Sequence, residues 1–129
     1  MKKLFIIILF FLFAFVINAQ QKLTPELMWK FGRVSEAKLA LDGKTVLYGI
    51  TNYDLAENKG NRDIYSVSTD GGNPVKLTDT KFSEFNAIFR PDGKKIAYLS
   101  PESGSMQIWE MNPDGSSKKQ ISNLIATFS

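Results

Sequence analysis

The chain spells one pattern twice. The stretch "LALDGKTVLYGI", residues 39–50, returns as "FRPDGKKIAYLS", residues 89–100, when Asp42-Gly43 is aligned on Asp92-Gly93 at an offset of 50. The flanks agree: Ala37 with Ala87, Leu39 with Phe89, Lys44 with Lys94, Val46 with Ile96 and Tyr48 with Tyr98. A second alignment, at an offset of 44, pairs "DIYSVSTDGG" with "QIWEMNPDGS" and continues from Leu77-Thr78 to Ile121-Ser122. The two offsets differ by six residues, taken up where the first copy has "NYDLAENKGNR" and the second only "PESGSM". Both alignments therefore describe one repeat with a loop of variable length.

Each copy holds four short β segments, in the first copy about Ala37 to Leu41, Thr45 to Ile50, Asp63 to Ser68 and Val75 to Thr78. Asp-Gly recurs between them for a physical reason. Glycine supplies positive φ at little steric cost, and the aspartate accepts hydrogen bonds from nearby backbone amides. Two hairpins per copy predict a four-stranded antiparallel sheet. The second strands, "TVLYGI" and "KIAYLS", are apolar on both parities, which predicts a sheet covered on both faces. Sheets of this repeat length stacked face to face are the blades of a β-propeller. The fold expected is thus all-β: about two four-stranded antiparallel blades of an incomplete propeller, preceded by a signal peptide and a short helix.

The first twenty residues, "MKKLFIIILFFLFAFVINAQ", combine a basic start, an apolar run from Leu4 to Ile17 and a small residue at Ala19, the layout of a secretory signal peptide. A membrane anchor is the competing reading, but the run falls short of the roughly 20 apolar residues needed to cross the hydrocarbon core as a helix. Cleavage after Ala19 is expected, with a periplasmic or secreted location. No cysteine follows to carry a lipid. Removing Lys2 and Lys3 takes the formal charge from +3 to +1, too little to argue for nucleic acid or an acidic membrane as partner. Five of the ten phenylalanines also lie in this run. The expected organisation is 1–19 signal peptide, 20–36 lead-in, 37–86 first blade, 87–124 second blade and 125–129 tail. In the lead-in, Thr24 as N-cap, Pro25 at the first helical position and Glu26 in the first turn predict a helix to about Phe31, stopped by Gly32.

Absent residue types narrow the chemistry. Without cysteine or histidine the chain has no disulfide, no thiol chemistry, few zinc options and no Ser-His-Asp triad of its own. No cofactor is expected. The acidic stretch Asp54, Glu57, Asn58, Asn61, Asp63 lacks EF-hand spacing and reads as a solvated loop rather than a calcium site. Ser103 and Ser105 lack a strand-to-helix elbow and a base, so they read as hairpin loop. Lys94-Lys95 and Lys118-Lys119 each follow an Asp-Gly turn of the second copy and read as solvated blade edge, not a phosphate patch. Tyr48, Tyr98, Tyr65 and Trp109 fall at equivalent repeat positions, favouring packing over a ligand platform. Catalytic, cofactor and metal residues are therefore all expected to be none.

"RPDGKKIAYLS" followed by "QIWEMNPDGSSKKQIS" resembles the Pro-Asp-Gly-Lys propeller repeat of periplasmic Tol-system propellers and of the prolyl oligopeptidase family of serine peptidases. The upstream "LTPELMWKFGRVSEAKLALDGKTVLYGITNYD" resembles the lead-in to the propeller of that family's secreted bacterial members, the type-five dipeptidyl-peptidases and acylaminoacyl-peptidases. The resemblance covers Leu23 to about Leu124. It implies a parent with a seven- or eight-bladed propeller and an α/β-hydrolase domain whose Gly-x-Ser-x-Gly elbow, Asp and His form the triad. This chain has no such elbow. The family's glutamates that bind a substrate amino terminus lie in later segments, so neither Glu84 nor Glu102 takes that role.

The expectation from these residues is a truncated or frame-shifted fragment of a secreted exopeptidase, part of its substrate-gating propeller, inactive alone. Peptide substrates would belong only to the full-length parent. The alternatives are a non-enzymatic periplasmic interaction propeller and a free-standing small β protein. Two blades leave an apolar face open at each end, which predicts marginal stability or self-association through those faces.

Overall fold

The structure is a computed structural model and describes residues 22–125. The expected signal peptide lies outside the described residues, as does most of the expected tail.

A short helix, α1 (Pro25–Lys30), opens the fold. Its cap is the one the sequence predicts: the Thr24 hydroxyl accepts a hydrogen bond from the Leu27 amide at 3.2 Å, with Pro25 at the start and Glu26 in the first turn. Four strands follow, β1 (Arg33–Leu39), β2 (Thr45–Asp54), β3 (Lys59–Ser68) and β4 (Val75–Lys76), then four more, β5 (Phe85–Phe89), β6 (Ile96–Ser100), β7 (Gln107–Met111) and β8 (Lys119–Gln120). Each set forms one antiparallel sheet in sequence order, joined by hairpins, which is the two-blade arrangement the repeat predicts.

The repeat is visible in the backbone. Gly43 and Gly93 both sit at positive φ, 70° and 67°, and each amide donates to the carbonyl three residues before. Asp42 and Asp92 accept from the amides of Lys44 and Lys94 at 2.9 and 3.0 Å. The last strands are latched alike: the Ile64 amide donates to the Thr78 hydroxyl and the Ile108 amide to the Ser122 hydroxyl, both at 2.8 Å.

Two features differ from expectation. β1 begins at Arg33 and β5 at Phe85, ahead of the expected Ala37 and Ala87, because each strand continues across a bulge. The bulged residues Glu36 and Asn86 lie 50 apart and both have positive φ, 58° and 53°. The polar stretch 52–62 is mostly strand rather than loop. Pairing runs unbroken from Thr51↔Arg62 to Asp54↔Lys59, and the Asp54 carboxylate closes the turn by accepting from the amides of Ala56 and Glu57.

The core lies between the sheets. Leu47, Ile64 and Leu77 from the first meet Ala87, Ile96, Tyr98 and Met111 from the second, with Phe89 and Trp109 packed against them. Alternation along each strand decides which residues take part. On β2 and β3, Leu47 and Ile64 face the second sheet, while the pairs Val46↔Val67 and Tyr48↔Tyr65 face away. On β6 and β7 the pairs Ile96↔Met111 and Tyr98↔Trp109 face inward, and Ala97 and Leu99 point outward.

Candidate functional site: the joint between the sheets and the hairpin rim

The polar centre of the joint is Arg62 of β3. Its guanidinium pairs with Glu36 at 2.7 Å, donates through Nε to the Thr51 hydroxyl at 3.2 Å, and stacks 5.0 Å from the Phe85 ring centroid. The other Glu36 oxygen accepts from the Asn86 amide at 2.9 Å. One carboxylate thus ties the bulge of the first sheet to the bulge of the second. The Arg62 backbone also reaches across: its amide donates to the Ser83 hydroxyl at 3.1 Å and its carbonyl accepts from the Glu84 amide at 3.0 Å.

Two carboxylates are buried nearby, Glu84 in the chain entering β5 and Asp63 on the face of β3 turned away from the second sheet, opposite Ile50. Asp63 pairs with Lys76 at 3.0 Å through Oδ2, and Glu84 accepts from the Thr80 hydroxyl at 2.6 Å. Each keeps one oxygen without a partner among the described residues. Burial raises the pKa of Glu84, opposed by the Thr80 hydroxyl and reinforced by the charge of Asp63. Burial also pushes the Tyr98 phenol up to about 12, helped by Glu84 and Glu102. Such a pair disfavours a second negative charge. Among the described residues no group of three or more carboxylates converges on a cation position.

A second feature lies on the rim. Arg33 sits between two aromatic rings, 4.7 Å from the Trp29 centroid and 4.5 Å from that of Tyr53. Beside it an open depression of about 820 Å³ is lined by Lys30, Asn52, Tyr53, Leu55, Asn61 and Lys81 among others.

The residues weighed from sequence take structural places. Of the acidic stretch, Asp54 caps the hairpin turn, Glu57 pairs with Lys59 at 3.5 Å, Asn58 sits in the turn at φ 50°, and Asn61 donates to the Thr80 carbonyl at 2.7 Å. Asp63 alone is buried. Ser105 accepts from Gln107 Nε2 at 2.9 Å in the turn before β7, and Ser103 is exposed in the same turn. Lys95 donates to the Asn112 side chain at 2.6 Å and Lys118 to the Gly115 carbonyl; Lys94 and Lys119 are exposed. Tyr98 and Trp109 pack in the joint, whereas Tyr48 and Tyr65 stack on each other, centroids 5.9 Å apart, on the open side of the first sheet. Sequence reading missed Glu36 and Arg62. Their spacing of 26 residues carries no local signal, and only the fold brings them together.

Comparison with known proteins gives this arrangement a family. The chain is 43% identical over 91 residues to a dipeptidyl-peptidase 5 of Porphyromonas gingivalis, covering 70% of this chain and 13% of that protein. This chain is a propeller segment of the prolyl oligopeptidase family of serine peptidases. It is 32% identical over 72 residues to a TolB homolog of Chlorobaculum tepidum, covering 56% of this chain and 17% of that one. The structure of a Pyrococcus horikoshii acylaminoacyl peptidase superposes over 79% of this chain and 15% of its own length, with TM-score 0.61 at 24% identity, a likeness of fold. No protein-family model matches. The chain therefore spans only a small part of the length of the curated relatives it matches.

Proposed function

We infer that the chain is part of the substrate-gating propeller of an exported exopeptidase of the dipeptidyl-peptidase or acylaminoacyl-peptidase type, acting on peptides and contributing no catalytic group of its own. The observation that carries this reading is the 43% identity to a dipeptidyl-peptidase 5 over 91 residues, 70% of this chain. The basic, apolar and small-residue layout of residues 1–19 supports export to the periplasm or beyond. A propeller acts as a gate by geometry: rigid sheets around an opening exclude substrates by size, and the Arg62-centred joint is the kind of cross-sheet tie that holds neighbouring sheets in fixed relation.

The test is a transplant. Residues 23–124 replace the matching segment of the P. gingivalis relative, and release of dipeptides from a chromogenic substrate is compared with cleavage of long polypeptides. The expected chimera keeps both the activity and the discrimination by length. A soluble, active chimera that has lost the discrimination refutes the gating role. The purified chain alone releases no dipeptide under the same conditions, and any release overturns that part. A TolB-like interaction propeller is the second reading, favoured by the 32% identity to a TolB homolog. It predicts that the flanking coding DNA holds further sheets and no Gly-x-Ser-x-Gly hydrolase domain.

A further inference from the structure

The chain has four Asp-Gly turns, and three of them hold their aspartate in the same way. Asp42, Asp92 and Asp114 each accept a hydrogen bond from the amide two residues on, those of Lys44, Lys94 and Ser116, at 2.9, 3.0 and 2.9 Å. Asp92 also pairs with Arg90 at 3.2 Å. Asp114 also accepts from the Ser116 hydroxyl at 2.6 Å, and this hold lowers its pKa from the ordinary carboxylate value. Asp70 is the exception. It is exposed, and among the described residues its carboxylate has no hydrogen-bond or ion-pair partner, although its own amide donates to the Ser68 hydroxyl at 3.1 Å. The repeat shows why: at the offset of 44, the place of Ser116 is taken by Gly72, at φ 116°, whose amide makes no bond to the aspartate. The bond that closes the turn, from the Gly71 amide to the Ser68 carbonyl, is 3.1 Å long, against 2.9, 2.8 and 2.9 Å for Gly43, Gly93 and Gly115. No neighbour lies within 4 Å of a Cβ built on Gly71 or Gly72.

We propose that Asp70 is a site of spontaneous covalent modification, isomerising through a cyclic imide to isoaspartate ahead of the other three Asp-Gly aspartates. The Gly71 amide nitrogen attacks the side-chain carboxyl carbon of Asp70. The new C–N bond replaces the carboxyl C–OH bond, and the hydroxyl leaves as water with the amide proton. Water then opens the ring. Where it cleaves the bond between the ring nitrogen and the main-chain carbonyl carbon, the chain runs on through the side chain and the former main-chain carbonyl becomes the free carboxylate. One water leaves and one returns, so the mass is unchanged and no oxidant or reductant takes part. Glycine in second place makes the attack feasible, because no side chain shields its nitrogen and its backbone turns freely. The attack also requires the carboxyl carbon to swing onto that nitrogen. At Asp42, Asp92 and Asp114 the carboxylate must first surrender the amide that holds it, whereas at Asp70 nothing holds it and the closing bond is the longest of the four. One amide hydrogen bond of ordinary net strength corresponds to a factor of about five in rate. The product adds a methylene to the main chain between β3 and β4, which pair only through Tyr65↔Lys76 and Ser66↔Val75. The turn that lengthens therefore sets the register of Lys76, the partner of buried Asp63.

The experiment uses the protein purified from cells expressing the full 129-residue reading frame. It is aged at mildly acidic pH, warm but below its melting transition, in parallel with the same protein unfolded in urea. Trypsin places the four turns in separate peptides, Asp70 in residues 63–76, and chromatography with electron-transfer fragmentation distinguishes aspartate from isoaspartate in each. In the folded protein Asp70 is expected to isomerise at least about fivefold faster than each of the other three. In urea the four rates are expected to converge, since the holding bonds are gone. Ser116→Gly gives the second copy the residue of the first and is expected to raise the rate at Asp114 toward that at Asp70, with the β spectrum by circular dichroism unchanged. If that variant unfolds, Ser116→Ala, which removes only the hydroxyl, replaces it. Equal rates at the four turns of the folded protein overturn the proposal, as does a lead by any turn other than that of Asp70. Protection of Asp70 in the folded protein while the unfolded chain reacts also overturns it. The same lead for Asp70 in urea refutes it equally, because local sequence rather than the missing hold would then set the rate.

Discussion

Leu77 and Ile121 occupy the same position of the repeat and differ in what covers them, so truncating each to alanine isolates the worth of the joint. Leu77 is 3% exposed among Ile64 and the residues of the second sheet. Removing a buried leucine to alanine costs about 3 kcal/mol through lost transfer energy and the cavity left behind. Ile121 is 52% exposed, so about half of its side chain already touches water and its truncation costs about 1 kcal/mol. For a domain of this size each kcal/mol moves the melting temperature by roughly 4–8 °C. Leu77→Ala is therefore expected to lower Tm by about 12–24 °C and Ile121→Ala by about 4–8 °C. The assay is thermal denaturation followed by circular dichroism, at concentrations low enough that light scattering shows only monomer. Equal shifts for the two variants would refute the reasoning, because the sheets would then not be packed on each other in solution.

The remaining predictions concern the turn, the ion pair and the buried acid. A Cβ added at Gly115 would come within 2.8 Å of the Leu77 carbonyl at φ 84°, whereas one at Gly71, at φ 93°, meets open space. Urea unfolding should give a cost of about 2–3 kcal/mol for Gly115→Ala and about 1 kcal/mol for Gly71→Ala, and the reverse order would contradict the close approach. Arg62→Met breaks a half-buried pair and should cost about 1–2 kcal/mol, while Lys59→Met, at the exposed Glu57–Lys59 pair, should stay within about 0.5 kcal/mol in the same measurement. Glu84 has a folded pKa raised above its ordinary 4.5. The stability it contributes is therefore fully present below that ordinary value and is lost as pH rises through the folded value. Glu84→Gln removes that loss, so stability measured from pH 4 to 8 should fall less steeply with pH in the variant, and superimposable slopes would exclude Glu84 as a source.

What was legible in the sequence was what local chemistry encodes. Asp-Gly at Asp42, Asp70, Asp92 and Asp114 marks turns because positive φ is a property of one residue, and all four glycines adopt it. The α1 cap at Thr24 is equally local. The bulge at Glu36 was not legible, since a glutamate at φ 58° has no intrinsic preference for that conformation. It is accompanied by Arg62 and the Asn86 amide on its carboxylate, both distant in sequence. The polar stretch 52–62 reads as loop by composition, yet it stays in register because Thr51, Tyr53 and Asn61 find partners in Arg62, Arg33 and Thr80. Glu84 gave no sign of burial for a related reason: its surroundings are assembled from β3, β6 and the chain entering β5.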